Sequence, residues 1–287
     1  MDLSIVIVSW NAKKYLFKCL KSIFVFTNLK NFKFEVLVVD NASNDGSLNM
    51  IEKDFPQVKV INNKKNLGFA KANNQALKKV QGKYILFLND DTEIFGNIFF
   101  ILLNEFKMLN RHDNKIGILA CKLLNSDGSL QLSVRRDPNL INQLIIISKL
   151  HHLWPSLLKN YEQHSFNYSK EQMVEQVMGA FMLTTRSVLE HVGNFDENFF
   201  IWFEEVDLQI RMRQAGYKIY YTPLVSCHHV KAVSFSQILT FEKQMMFMRS
   251  MRYFFKKQHN LFSYLIISSA QAISLIFARV LKNYKHK

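Results

Sequence analysis

Three cysteines in 287 residues, Cys19, Cys121 and Cys227, are few and scattered. Their odd number excludes a closed disulfide framework, and none has the spacing of a zinc site, so a reducing compartment is expected. The opening residues MDLSIVIVSW have neither a basic stretch nor a long apolar one. No secretory leader is visible there, and a cytoplasmic location is expected. No G-x-G-x-x-G follows the first apolar run, which removes the signature of a dinucleotide oxidoreductase. Repeats and low-complexity segments are absent. Acid is scarce at the C-terminal end: from Lys231 onward there are ten Lys and Arg against Glu242 alone. Of the net charge of +14, this end therefore holds +9. Such asymmetry points to an anionic surface as partner, membrane or nucleic acid.

What is present is apolar. Hydrophobic residues make up 48% of the chain, with 25 Phe, and the length gives ample core for one large domain or two modest ones. Continuous apolar runs in LSIVIVSWN, FEVLVVDNASNDGS, VKVINN and YILFLNDD alternate with segments of helical spacing, such as KKYLFKCLKSIF and AKANNQALKKVQG, the latter closed by Gly82. Continuous rather than alternating strands predict a mostly parallel sheet flanked by helices on both faces, an α/β fold. Each run ends in polar residues: Ser9-Trp10-Asn11, Asp40-Asn41, Asn62-Asn63 and Asn89-Asp90-Asp91. Ligands of open α/β sheets bind beyond the carboxyl ends of the strands, so four such ends in succession predict one site. Adjacent carboxylates at Asp90 and Asp91 disfavour each other's ionisation unless a cation or donor intervenes. A strand-end turn and a metal or ligand site are equally compatible with that stretch alone.

A second acidic cluster lies in FIWFEEVDLQIRMRQAG. Helical spacing puts Glu204, Asp207 and Arg211 on one face, with Glu205 about 100° away. Acids in a first helical turn complement the helix dipole. The preceding Trp202 and Phe203 would also desolvate a carboxylate and raise its pKa, as suits a general base. Arg211 is open between ion-pair partner and phosphate clamp. Gly216 ends this helix, and Pro223 halts the short strand YKIYYT. The middle, roughly 135–176, reads as irregular, with His151 and His152 as loop or surface residues.

The stretches IVIVSWNAKKYLFKCLKSI, VLVVDNASNDGS, NLGFAKANNQAL, GKYILFLNDDTEI, GAFML, VGNFDENFFIWFEEVDLQIRMRQAGYKIYYTP and the HH before Ser234 occur in an order that resembles the family 2 glycosyltransferases of GT-A fold, and among them the rhamnosyltransferase-like members. The resemblance spans about residues 3 to 234. It implies a nucleotide pocket begun by Ser9, Trp10 and Asn11, with Asp40 and Asn41 at base and ribose, and Asn66, Gly68 and Asn73 covering the nucleotide. Asn89-Asp90-Asp91 stands where the family has its metal-binding D-x-D, so a divalent cation, Mg²⁺ or Mn²⁺, is implied, held chiefly by Asp91 with His229 or His228. Gly179 and Ala180 fit close approach to the sugar. Glu205 matches the family's catalytic base, usually Asp, with Glu204 as the other candidate. The activity implied is inverting transfer from a UDP- or dTDP-sugar to a saccharide or lipid-linked glycan acceptor in cell-surface polysaccharide synthesis.

Residues 1–234 thus read as the catalytic domain, with a nucleotide-binding half to about 120 and an acceptor half from 121. Residues 235–287 read as a basic amphipathic helical tail. In it Phe262, Ile266, Ile273, Ile276, Phe277 and Val280 share one face, while Ser263, Gln271, Ser274, Lys282 and Lys285 fall on the other. That pattern predicts a helix lying in the interface of an anionic membrane, at the inner face of the cell membrane, with self-association through the tail as a further expectation. Two rival readings are a nucleic-acid binder, disfavoured by the strand-end acids, and a catalytically idle membrane scaffold, suggested by Asn89 and Glu205 where the family has Asp.

Overall fold

The computed structural model describes residues 1–27, 32–111, 115–230 and 240–284, with side chains described as far as Leu275 in the last helix. The four apolar runs form β1 (Leu3–Ser9), β2 (Phe34–Asp40), β3 (Lys59–Asn62) and β4 (Tyr84–Asn89), paired in parallel in the order β3-β2-β1-β4. Successive side chains of a strand point to opposite faces, and here both faces are covered. Leu3, Ile5 and Ile7 of β1 enter one core with α1 (Lys13–Phe26), α2 (Ser47–Asp54) and α4 (Ile98–Arg111). Val6 enters the opposite core with α3 (Phe69–Leu77), α6 (Arg186–Val192) and α7 (Glu204–Gln214). Two-sided burial is the reason these strands read as unbroken apolar runs.

The sheet continues beyond β4 through β10 (Phe181–Thr185), antiparallel to both neighbours, to β6 (Ile116–Leu124), β11 (Lys218–His229) and β5 (Thr92–Ile94), with β8 (Gln172–Val174) on β11. A separate ribbon pairs β7 (Val134–Arg135) with β9 (Gln176–Val177). This is an α/β fold with a mixed second half.

Three local expectations are corrected. Helix α3 ends at Leu77, and Gly82 instead lets the chain press on β1, since an added Cβ would lie 2.5 Å from the Ser4 nitrogen. Pro223 does not halt β11, because it falls in the register shift between Thr222 and Ser226, where pairing with β6 is interrupted and no N–H is needed. The irregular middle contains α5 (Leu140–Ile147), capped reciprocally by Asn139 and Asn142, and two 3-10 turns, Leu150–His152 and Pro155–Leu158.

The C-terminal region is a helical pair, α8 (Thr240–Gln258) and α9 (Leu261–Tyr284). It is no detached tail. Met248, Met251, Phe254 and Phe255 of α8 and Ile267 of α9 share a third core with Ile147, Phe199, Phe203 and Val206. Lys257 donates to the carboxylates of Asp196 and Asp207 at 2.6 and 3.0 Å. The expected boundary at 234/235 and Lys285 lie outside the described residues, as do the side chains of Ile276, Phe277, Val280 and Lys282. Among the described residues no helix is long and apolar enough to cross a membrane.

Candidate active site

The strand ends open into a cavity of about 390 Å³. From the sheet come Trp10, Asn41, Asn89, Asp90 and Asp91; Asn66 and Gly68 contribute from the loop before α3. Gly179 and Ala180 stand just before β10, His229 at the end of β11, and Glu204 and Glu205 begin α7. A wider cleft of about 1260 Å³ runs along α1; of its three acids, Asp45 and Glu93 already accept hydrogen bonds from Lys13 and Lys18, and Asp54 is the third. The chemistry sits in the smaller space.

Backbone geometry fixes the cavity. Gly68 has φ of +83°, and a Cβ there would lie 2.3 Å from the Phe200 carbonyl oxygen, which accepts from the Phe69 N–H at 2.8 Å. That close approach ties the loop before α3 to the loop before α7. Asn41 holds the other side, donating to the Gly68 carbonyl at 3.2 Å and accepting from Asn63 at 2.9 Å. Trp202 and Phe203, both bulky, adopt left-handed φ of 63° and 71° immediately before α7. Such backbone costs about 1–3 kcal/mol per residue and persists only when packing enforces it. The Phe247 ring lies 5.6 Å from Trp202 and 5.5 Å from Phe203, with Phe254 at 5.1 Å from Phe203. Helix α8 is what enforces it.

At the β4 end, burial and then the charge of Asp91 push Asp90 up to about 8. Asp91 is buried, and its Oδ1 lies 3.2 Å from Nε2 of His229. Gln131 orients that ring: its amide nitrogen donates to Asn125 and to the His229 carbonyl, so its Oε1 must accept, at 2.7 Å, from an Nδ1–H. Nε2 is then an acceptor, within 3.3 Å of the Asn89 side-chain amide and beside the Asp91 carboxylate. Neither Oδ1 of Asp91 nor Oδ2 of Asp90 has a hydrogen-bond partner. Oxygen donors plus an oriented imidazole fit a divalent ion. Among the described residues no three His, Cys, Asp or Glu side chains could hold a metal by themselves.

At the α7 end, burial and then the neighbouring Glu205 raise the pKa of Glu204 well above the ordinary range. Burial also raises that of Glu205, opposed by backbone hydrogen bonding and by the Arg135 guanidinium. Gly179 is packed on Glu205, where an added Cβ would meet its Cγ at 3.3 Å.

Ser9 and Asp40 are buried behind the wall, Asp40 accepting from the Ser43 N–H at 2.9 Å. Four more expected site residues do not face the cavity. Asn11 bridges the loops after β1 and β2, its Oδ1 accepting from Asn44, and borders the α1 cleft instead. Asn73 points along its own helix to the Phe69 carbonyl. Arg211 is the ion-pair partner rather than a phosphate clamp, bonded to Asp207 at 2.9 Å and to the carbonyls of Val192, Gly193 and Asn194. His228 alternates to the other side of β11 and packs on Phe95 at 4.9 Å, leaving His229 for the acidic pair. Asp207 is not a cavity residue either; it anchors Arg211, Lys257 and Gln258. Arg135, Tyr161 and Phe247 line the cavity, and Gln131 supports it, without any signal in the local sequence.

The chain is similar to the N-acetylglucosaminyl-diphospho-decaprenol L-rhamnosyltransferase of Mycobacterium tuberculosis, 27% identical over 81% of this chain and 77% of that one. The mannosyltransferase PcManGT of Pyrobaculum calidifontis, solved with GDP-Man and Mn²⁺, shares the fold with TM-score 0.57 and 16% identity, over 99% of this chain and 79% of that one. Residues 1–349 of S. aureus TarS, solved with UDP-GlcNAc, give TM-score 0.55 and 17% identity over 94% and 79%. Residues 4–156 match the sequence model of glycosyl transferase family 2, and with the strand-end cavity in place the chain belongs to that family.

Proposed function

We propose that this family 2 glycosyltransferase inverts an anomeric centre, moving a sugar, rhamnose being the first candidate, from a nucleoside-diphosphate donor to a hydroxyl of a lipid-linked saccharide. The observation that carries the reading is that two acidic poles, Asp90-Asp91 with His229 and Glu204-Glu205, line one aromatic-walled cavity. One pole suits a leaving diphosphate and the other a departing proton. Trp10 supplies a face for the nucleotide base, while Asn41, Asn66 and Gly68 offer polar atoms beside it. A divalent ion bound by Asp91 and His229 would neutralise charge on the diphosphate. Glu205 takes the proton from the acceptor hydroxyl, whose oxygen bonds to the anomeric carbon as the bond from that carbon to the diphosphate breaks on the opposite face. A positioned base contributes about 10²–10⁴-fold. Arg135 keeps Glu205 ionised more of the time than burial alone would allow.

The relative's name supports the lipid-linked acceptor, and the neighbours' contents support a nucleotide-sugar donor and a metal. A panel of UDP-, dTDP- and GDP-sugars with Mg²⁺ or Mn²⁺, with and without a polyprenyl-diphosphate saccharide, tests the reading. Acceptor-dependent release of one nucleotide is expected. No turnover with any donor would favour the idle scaffold.

A further inference from the structure

We propose that the segment 139–157 and the outward face of α9 form one surface that seats the protein on an anionic lipid bilayer beside the cavity mouth. Helix α9 turns Ser263, Gln271 and Ser274 inward alongside Ile267. Ser263 and Gln271 are buried, Gln271 donates to the Met248 carbonyl at 3.0 Å, and Ser274 donates to the Ile147 carbonyl at 3.5 Å. Its outward side is mostly apolar: Leu261 and Phe262 are 70% and 68% exposed, with Leu265 and Ile273 also exposed and Ser269 among them. A helix that buries serine and glutamine while exposing leucine and phenylalanine has chosen its orientation for something outside the fold.

A second apolar group adjoins it. Helix α9 packs on α5, and α5 packs on both 3-10 turns. There Ile141 and Leu153 are each 71% exposed, with Trp154 and Leu157 beside them. Exposed apolar clusters of this kind mark interaction sites, and Trp favours a membrane interface because one end of its ring system is apolar and the other polar.

Charge selects the occupant. Residues 139–161 contain Lys149 and Lys159 and no acid, and from Lys243 to the C-terminus no acid occurs at all. Arg249, Arg252 and Lys256 are exposed on α8. Two copies meeting through this face would set like charges against each other, whereas an anionic leaflet attracts them. Tyr161, just beyond the second turn, and Phe247 of α8 both line the cavity. The surface therefore borders the mouth through which, on the reading proposed above, a lipid-linked acceptor would reach Glu205.

The test uses the full chain with vesicles of phosphatidylcholine alone or mixed with phosphatidylglycerol. Co-sedimentation with the anionic vesicles, weakened by salt, is expected. The double variants Leu153→Glu/Trp154→Glu and Phe262→Glu/Leu265→Glu should each weaken it by about tenfold or more, because burial of two large apolar side chains is lost. Their melting temperature and lipid-free donor hydrolysis should match wild type, which excludes misfolding. Failure of the full chain to bind anionic vesicles overturns the proposal. So does unchanged binding by both variants, or a wild-type dimer that the variants dissolve. Vesicle binding without sugar transfer would overturn the enzymatic reading and leave this surface standing.

Discussion

Phe254→Ala tests whether the C-terminal helices are part of the catalytic machinery. The ring is fully buried and lies 5.1 Å from Phe203 and 5.9 Å from Phe255. Truncating a buried Phe to Ala costs about 3–5 kcal/mol in transfer and cavity terms. Against a total stability of about 5–15 kcal/mol this is a large share. At roughly 2–4 °C per kcal/mol for domains somewhat smaller than this one, the melting temperature should fall by about 10 °C. A second effect follows from position. Phe203 holds left-handed backbone directly before Glu204, and Phe254 is part of the wall that keeps it there. Relaxing Phe203 would displace both glutamates, and misplacement by about 1 Å can cost ~10²-fold in rate. Thermal melts together with donor turnover well below the new midpoint separate the two effects. Phe254→Leu, which keeps more of the volume, should lie between, and truncation of the exposed Phe262 should do neither. A Phe254→Ala protein that melts with wild type and turns over donor normally would refute the reasoning.

Glu205→Gln should remove most transfer while keeping donor affinity, measured by turnover and nucleotide binding; if Glu204→Gln is the inactive one instead, the roles exchange. Arg135→Gln removes the cation that lowers the Glu205 pKa, so that pKa rises. Since a base works ionised, the acidic limb of kcat/KM should move to higher pH, with rates on the plateau retained; an unmoved or acid-shifted limb contradicts the assignment. Asp91→Ala should abolish metal-stimulated nucleotide binding in titration calorimetry with the fold intact, and Gln131→Ala should weaken it by about 10–100-fold, as for an outer partner that orients a ligand.

The first half of the sheet and the β4 acids were legible because a strand buried on both faces must be apolar throughout. The polar residue that ends it is then conspicuous. Glu204 and Glu205 were legible for the converse reason, as charges set directly after Trp202 and Phe203. Arg135 and Gln131 left no comparable mark. One lies in a two-residue strand and the other beside a turn, and only the fold brings them to Glu205 and His229. Arg211 illustrates the limit of periodicity. Helical geometry places it near Asp207 correctly, but the carbonyls of residues 192–194 that complete its hydrogen bonding belong to the end of α6 and the turn after it. Helix α5 was hidden by Ile145, Ile146 and Ile147, whose β-branching favours strand locally. Its reciprocal Asn139–Asn142 cap and packing against α9 decide otherwise.

The C-terminal helices gave the right periodicity and the wrong relationship to the body. An amphipathic pattern says that a helix has two unlike faces; it does not say which one meets protein. For α9 the face that meets protein is mixed: Gln271 and Ser274 donate to carbonyls of α8 and α5, and Ile267 enters the third core between them. For α8 the protein takes Met251, Phe254 and Phe255, and with them Lys257 as counter-ion to the fully buried Asp207 of α7. Arg211 is the second cation on that carboxylate, so Asp207 is held between a residue of its own helix and one of α8. A chain cut before α8 would lose Lys257 and the third core together. The helix that begins with Glu204 and Glu205 thus packs on the same pair of helices that turns an apolar face outward.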